Sequence, residues 1–332
     1  MLSGLNLRIM KNTIFIILFS ILLFSCDKKS KVEKAVEEIP VEMKLIRFEQ
    51  AFFDAKPSDL QAVKAQYPEF FPAETPDQVW LEKMQNPQWR ELYGEVEKKY
   101  KNFNSKQTEI EELFKHIKYY FPTIKTPNIY TVIGEMDYNN KVIYANDKLL
   151  IALELYLGGK HRFYAEFPEY IAQNFEERQM LPDIANSFST GILPAPTDKT
   201  LLSQMMYFGK ELYLKDLLLS DDYTDAEKIG YTPEQISWSK ENEYFIWMNF
   251  VENKYLYSSN SKLATQFINL APFSKFYLEI DNESPGRIGQ WMGWQIVRSF
   301  MENNPKVTVQ QLIKMDANSI FEQSKYKPKK NE

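Results

Sequence analysis

The sequence predicts a predominantly helical α+β fold in a single domain, with a small sheet or hairpin near a central helix. Apolar residues recur at helical spacing in most segments, whereas only a few short runs carry the β-branched and aromatic residues typical of strands. Residues 41–320 contain no internal repeat and no stretch with the composition of a linker. The 332-residue chain is 44% hydrophobic and 15% aromatic, which supplies a well-filled core and argues against disorder.

Cap and breaker residues set the predicted element boundaries. Thr232 and Pro233, for example, supply an N-cap hydroxyl and a first-turn proline. Helices are predicted at residues 58–67, 76–84, 89–100, 105–121, 167–180, 200–220, 232–255, 284–300 and 308–315, with one more turn at 318–323. Strands are predicted at residues 41–53, 129–133 and 142–145. Because the turn-forming residues 137–140 separate the last two strands, we expect these strands to form a hairpin.

The central helix is predicted to follow the strand at residues 142–145. Asn146 or Asp147 would cap its start, and the pair Gly158–Gly159 would end it. Its middle reads Leu-Glu-Leu-Tyr-Leu, where a zinc protease has His-Glu-x-x-His.

In that comparison Glu154 occupies the position of the general base, and Leu153 and Leu157 occupy those of the two metal-binding histidines. A leucine has no lone pair to donate, so we expect neither a metal nor another cofactor. A core helix carrying one glutamate is the commoner meaning of such a pattern, and both interpretations stay open at this point.

The amino end has the pattern of a bacterial lipoprotein signal. Lys11 precedes an apolar run at residues 13–24, which is too short for a permanent membrane helix. The run ends at Cys26, the only cysteine, in the order that a lipobox requires. We therefore predict translation from Met10, a signal peptide at residues 1–25 and lipidation of Cys26 by acyl chains such as palmitate. The alternative is an ordinary signal peptide with an incidental cysteine.

The remaining domain boundaries follow from composition. Residues 26–40 are charged, lack aromatics and end in proline, which predicts a flexible, lipidated tether. Residues 41–324 are predicted to form the single globular domain, and residues 325–332 a polar tail. No tight acidic cluster follows the cysteine, so we expect a protein of the cell envelope, lipid-anchored to a membrane and facing the periplasm.

Other candidate sites are weaker. The net charge of −5 gives no reason to expect a nucleic-acid partner. His116 and His161, the only histidines, are too few for the usual zinc site, and the carboxylates at residues 279–283 fit no EF-hand loop.

Glycines and tryptophans near the carboxyl end have two possible roles. Gly286, Gly289 and Gly293 are expected to let another element pack closely. The large indoles are expected in the core, although they could instead line a groove for sugar or peptide: Trp238, Trp247, Trp291 and Trp294.

Several segments together resemble a known family. They are the lipobox ending at Cys26, RFEQAFF at residues 47–53, FGKELY at 208–213, GYTPEQ at 230–235, PGRIGQWMGWQIVRSF at 285–300 and SKYKP at 324–328. In this order they resemble the gliding motility lipoproteins of the GldB family of Bacteroidetes. The resemblance implies a cell-envelope lipoprotein needed for gliding. Its partners would be the membrane that holds its lipid and protein components of the gliding and secretion machinery.

The family is also distantly similar to zinc peptidases of the gluzincin type, which implies a zincin-like arrangement. Phe208, followed by a glycine, would then stand at the third metal-ligand position, beside Leu153 and Leu157 at the other two. We therefore predict a pseudo-enzyme that acts by binding rather than catalysis, its former cleft holding a peptide or a partner protein. The alternatives are a metallopeptidase with unusual ligands and a glycan-binding lipoprotein.

Overall fold

The computed structural model describes residues 31–145, 147–196, 198–279 and 281–330. These residues divide into two units, one before and one after the boundary between residues 40 and 41. The predicted signal peptide and Cys26 lie outside the described residues. Within the first unit, helix α1 (Lys31–Glu37) occupies part of the segment predicted to be a tether. Among the described residues, no helix is long and apolar enough to cross a membrane.

The second unit is built mainly from helices. Its amino-terminal half contains α2 (Phe48–Phe53), α3 (Leu60–Gln66), α4 (Asp77–Gln85), α5 (Pro87–Tyr100), α6 (Asn104–Tyr120), α7 (Glu169–Ala172) and α8 (Met180–Ile192). The rest contains α9 (Leu201–Leu218), α10 (Asp225–Ile229), α11 (Pro233–Glu241), α12 (Glu243–Glu252), α13 (Ser261–Phe267), α14 (Ile288–Asn303), α15 (Val309–Leu312) and α16 (Ala317–Ser324). With the sheet described next, this confirms the predominantly helical α+β class.

A small mixed sheet supplies the β component. Its strands are β1 (Leu45–Arg47), β2 (Asn128–Val132), β3 (Val142–Ala145) and β4 (Lys148–Ala152), in the spatial order β1-β2-β4-β3. Strand β2 runs parallel to β1 and β4, whereas β3 runs antiparallel to β4. The predicted hairpin between residues 129–133 and 142–145 is therefore wrong. The hairpin instead joins β3 to β4, which are separated by only two residues, the loop length that favours this pairing.

The predicted central helix is also wrong. Lys148–Ala152 is strand β4, and Leu153–Leu155 form a single 3₁₀ turn. A short continuous apolar run fits a strand covered on both faces as well as a buried helix, and periodicity alone cannot separate them. Here the parallel partner β2 and the antiparallel partner β3 decide the outcome, because β4 lies between them and Leu149 and Ile151 are buried.

Other helix and strand boundaries differ from the predicted ones for local reasons. The first predicted strand shortens to three residues and continues as α2. The helix predicted at residues 167–180 is replaced by the short α7 and a 3₁₀ turn, and α8 begins where it should have ended. The helix predicted at residues 232–255 divides into α11 and α12 at Asn242, whose side chain donates to the Trp238 carbonyl at 2.9 Å.

Two hydrophobic cores share helix α9. The first core lies around the sheet, α5, α6 and α8, and the second lies around α12, α13 and α14. Helices α9 and α14 pack closely, since a Cβ atom on Gly293 would stand only 1.9 Å from the Met205 carbonyl oxygen. Gly289 is similarly crowded by Phe267, which confirms the expected role of these glycines. Trp291 and Trp294 are buried in the second core, as expected for core indoles.

Candidate binding groove beside strand β3

Glu154, the residue compared with a catalytic base, is sealed inside the protein. Its relative exposure is 0%, and its Oε1 accepts a hydrogen bond from the Gly134 amide at 2.9 Å. Oε2 has no hydrogen-bond partner among the residues that the structure describes. Burial raises the pKa of this carboxyl to about 7, although the amides of Gly134 and Met136 and the charge of Lys83 favour its ionised form. The backbone carbonyl of Glu154 accepts from the Tyr164 hydroxyl at 2.5 Å.

The leucines beside it do not form a cleft. Leu153 is fully buried in the first core, and Leu157 is partly buried against the same core. Because the segment is a strand end and a 3₁₀ turn, these two side chains are not stacked one helical turn apart. Phe208 lies on α9 and packs against the second core. The structure therefore does not bring the predicted pseudo-active-site residues together around one opening.

The histidines have structural surroundings. His161 precedes a 3₁₀ turn, and its Nδ1 accepts from the Phe163 amide at 3.4 Å. Its Nε2 stands 3.5 Å from Glu95. His116 is buried on α6. Within the part of the chain that the structure describes, no three His, Cys, Asp or Glu side chains are grouped as a metal site would require.

Two adjoining cavities form a more promising site. The first, here called the outer groove, has a volume of about 440 Å³ and lies between β3 and α8. The second, here called the inner pocket, has a volume of about 260 Å³ and reaches α9, α10 and the start of α14. The two cavities are adjacent, since four residues line both of them: Tyr138, Lys141, Asp183 and Asn186.

The outer groove has the edge of the sheet as one wall. Ala152 donates its amide to the Lys141 carbonyl at 2.9 Å, so alternation along this antiparallel pair directs the amide and carbonyl groups of Val142 and Tyr144 away from β4. The Tyr144 amide donates to the Ser187 hydroxyl of α8 at 2.8 Å. Val142 lies next to the groove with its outward backbone groups available to a further strand.

The inner pocket is rich in charged groups. Lys141 pairs with Asp183 at 2.5 Å, and Lys228 pairs with Asp216 at 3.0 Å. Lys215, which is 7% exposed, donates to the Lys228 carbonyl at 3.0 Å. Burial lowers the pKa of Lys215, partly offset by nearby Glu211, whose own pKa burial raises.

Arg287 completes the pocket at the amino end of α14. Its backbone is in the left-handed region, with φ of 62°, which is uncommon for a residue other than glycine. The helix therefore begins at Ile288, four residues later than predicted, and Gly286 precedes it. The Arg287 Nη2 donates to the Gly230 carbonyl at 3.3 Å, and its buried Nε has no hydrogen-bond partner in the described part of the chain.

Sequence reasoning missed this site. One signal was available, since α9 is largely apolar yet carries Lys210, Glu211 and Lys215 on buried positions. Lysine and glutamate are rarely buried without a reason. Which elements face these charges depends on tertiary packing, so the pocket itself could not be read from the pattern.

The comparisons with known proteins identify the family. The family model described as gliding motility protein GldB matches residues 29–328, which is most of the chain. A search of curated proteins and a search of solved structures found no match. The distant likeness to zinc peptidases therefore stays a prediction. The chain belongs to the GldB family of gliding motility proteins, whose designation is that of lipoproteins, and this membership implies a role in gliding motility and association with its machinery.

Proposed function

We propose that this member of the gliding motility protein GldB family is a non-catalytic, lipid-anchored component of the motility machinery, and that its outer groove binds an extended segment of a partner protein. The observation that carries the proposal is that the edge strand β3 lines a groove of about 440 Å³, where the outward backbone groups of Val142 are available although the Tyr144 amide is bonded to Ser187. An extended peptide can add a strand to such an edge through its backbone. The sequence supports a lipid at Cys26 and a periplasm-facing location in the cell envelope.

The inaccessibility of Glu154 favours a binding role over a catalytic one. A general base must come within hydrogen-bond distance of the proton it removes, directly or through one water molecule. At 0% exposure, inside a 3₁₀ turn of the first core, Glu154 does not meet a substrate in this structure. A metallopeptidase with unusual ligands would need a different set of residues. The glycan-binding alternative loses two of its four candidate indoles, because Trp291 and Trp294 are buried, and the other two, Trp238 and Trp247, are partly buried against the second core.

Blocking the outer groove tests the proposal. Gly191 lines this groove near the end of α8, and a side chain there would meet open space. Gly191→Trp should fill the groove and abolish gliding when it is the only copy in the cell. Gly94→Trp is the matched control, because Gly94 also lies on a helix, faces open space and is outside both cavities. If the Gly191→Trp strain glides normally at normal protein abundance, the outer groove is not the site that binds the partner.

The anchor has its own test. Cys26→Ser should release the protein from the membrane fraction, because no acyl chain could then be attached. The measurement is the partition of the protein between soluble and membrane fractions after cell lysis. Retention of the Cys26→Ser protein in the membrane fraction would place the anchor elsewhere.

A further inference from the structure

The inner pocket contains more positive charge than the neighbouring carboxylates balance. Lys141 and Asp183 pair with each other. Lys228 pairs with Asp216, which also receives Arg298, and Arg298 extends to Asp225. The exposed Lys240 also lies 4.0 Å from Asp225, so the second network contains three basic groups and two carboxylates and leaves no carboxylate for a further cation.

Lys215 and Arg287 remain after this pairing. Among the described residues, no carboxylate lies within 4.0 Å of the nitrogen atoms of either side chain. Glu211 interacts with both at longer range and can balance one of the two charges. One positive charge therefore faces the pocket without a counter-ion from the described part of the chain.

Arg287 has hydrogen-bonding capacity that the fold leaves unused, although its guanidinium also lies 5.5 Å from the centre of the Tyr231 ring. A guanidinium has five N–H donors, and here one donates at 3.3 Å to a carbonyl that also accepts from Gln173 and Asn174. No described residue accepts a hydrogen bond from its buried Nε, and an unpaired buried donor costs free energy unless a ligand satisfies it. The left-handed backbone at this position adds strain, which persists where the surrounding structure enforces it.

We propose that the inner pocket binds an oxyanion, a carboxylate or phosphate group, through Arg287 and Lys215. Guanidinium groups bind such planar or tetrahedral anions through two parallel hydrogen bonds. The positive end of the 16-residue helix α14 lies beside the group and favours negative charge. Asn174, Gln179 and Asn186 supply neutral amide groups around the same space.

The expected source of this oxyanion is the partner segment itself. The inner pocket shares Tyr138, Lys141, Asp183 and Asn186 with the outer groove, so the end of a segment bound beside β3 would lie next to the inner pocket. A free C-terminal carboxylate of the segment would fit there. This assignment of the source rests on the proposed function, whereas the oxyanion site itself does not.

The test uses the full-length lipoprotein in detergent micelles and isothermal titration with three probes: inorganic phosphate, N-acetyl-Gly-Gly-Val with a free carboxylate, and the same peptide as an amide. Wild type should bind phosphate or the free carboxylate, and Arg287→Gln should weaken that binding by about tenfold or more. Arg287→Gly, which relaxes the left-handed backbone, provides a second variant in case Arg287→Gln does not fold. Arg162→Gln, at a half-exposed arginine paired with Glu91, should bind like wild type.

Preference for the free peptide over its amide supports the C-terminal carboxylate as the source. Binding of phosphate alone supports the oxyanion site and overturns that source. Equal binding by wild type and the Arg287 variants, or no binding of any probe, overturns the site. Because gliding with Gly191→Trp measures the outer groove, failure of the oxyanion site and failure of the proposed function give different results.

Discussion

Two regions of this protein contain buried ionisable side chains, and they differ in what lies beside them. Glu154 is enclosed by the first core, with one oxygen held by the Gly134 amide. Lys215 and Glu211 are buried on α9, but Lys215 lines the inner pocket together with Arg287. A buried charge next to an open cavity can act on a ligand, whereas one enclosed by packing contributes mainly to stability and its pH dependence.

The largest expected effect concerns the leucine beside Glu154. If Leu153 is a core residue, Leu153→Ala should lower the free energy of unfolding by about 2 to 5 kcal/mol, through lost burial and a new cavity. Changing the partly buried Leu157 to alanine should lower the free energy of unfolding by a smaller amount. Denaturant titration of both variants measures the difference. Equal, small effects would place both side chains in an open cleft and remove the contrast between the regions.

Lys215 should behave differently in single and double variants. Lys215→Met leaves Glu211 buried with less compensation, so we expect a loss of about 3 kcal/mol in the free energy of unfolding. Lys215→Met with Glu211→Leu should recover most of that loss, because apolar side chains often replace buried charges without cost. The double variant should still bind phosphate more weakly. A double variant that binds phosphate like wild type would show that these charges serve the fold alone.

The pH dependence of the free energy of unfolding should reveal the ionisation of the Glu154 carboxyl group. Its pKa is about 7 when folded against 4.5 as its ordinary value, so the folded state holds a proton that the unfolded state has released between these pH values. Stability should therefore fall as pH rises from about 4.5 to about 7, by about 2 to 3 kcal/mol from this group. Glu154→Gln should remove this part of the slope in urea titrations at several pH values. An unchanged slope would mean that Glu154 is ionised throughout.

The sequence predicted the helical elements well where local signals were strong. Thr232 caps helix α11 as predicted, α9 begins within one residue of its predicted start, and α6 keeps the apolar spacing expected of it. Local signals failed around Leu153, because strand β4 depends on partners from two other parts of the chain.

The sequence did not predict the inner pocket, for a related reason. Arg287 takes a left-handed backbone that sequence statistics assign to glycine, and Lys215 is a ligand candidate only because α10 and α14 lie beside it. The Leu-Glu-Leu-Tyr-Leu segment suggested a site by comparison with a helix that does not form here. The charges on α9 were present in the sequence, but their common pocket is a product of tertiary structure.

The central claim is that binding at the outer groove, and not chemistry at Glu154, supports motility. Its most direct test is the gliding speed of cells that carry Glu154→Gln or Gly191→Trp as the only copy, compared at equal abundance in the membrane fraction. We predict that Glu154→Gln cells glide like wild type and that Gly191→Trp cells do not. Loss of gliding with Glu154→Gln and normal gliding with Gly191→Trp would contradict the claim.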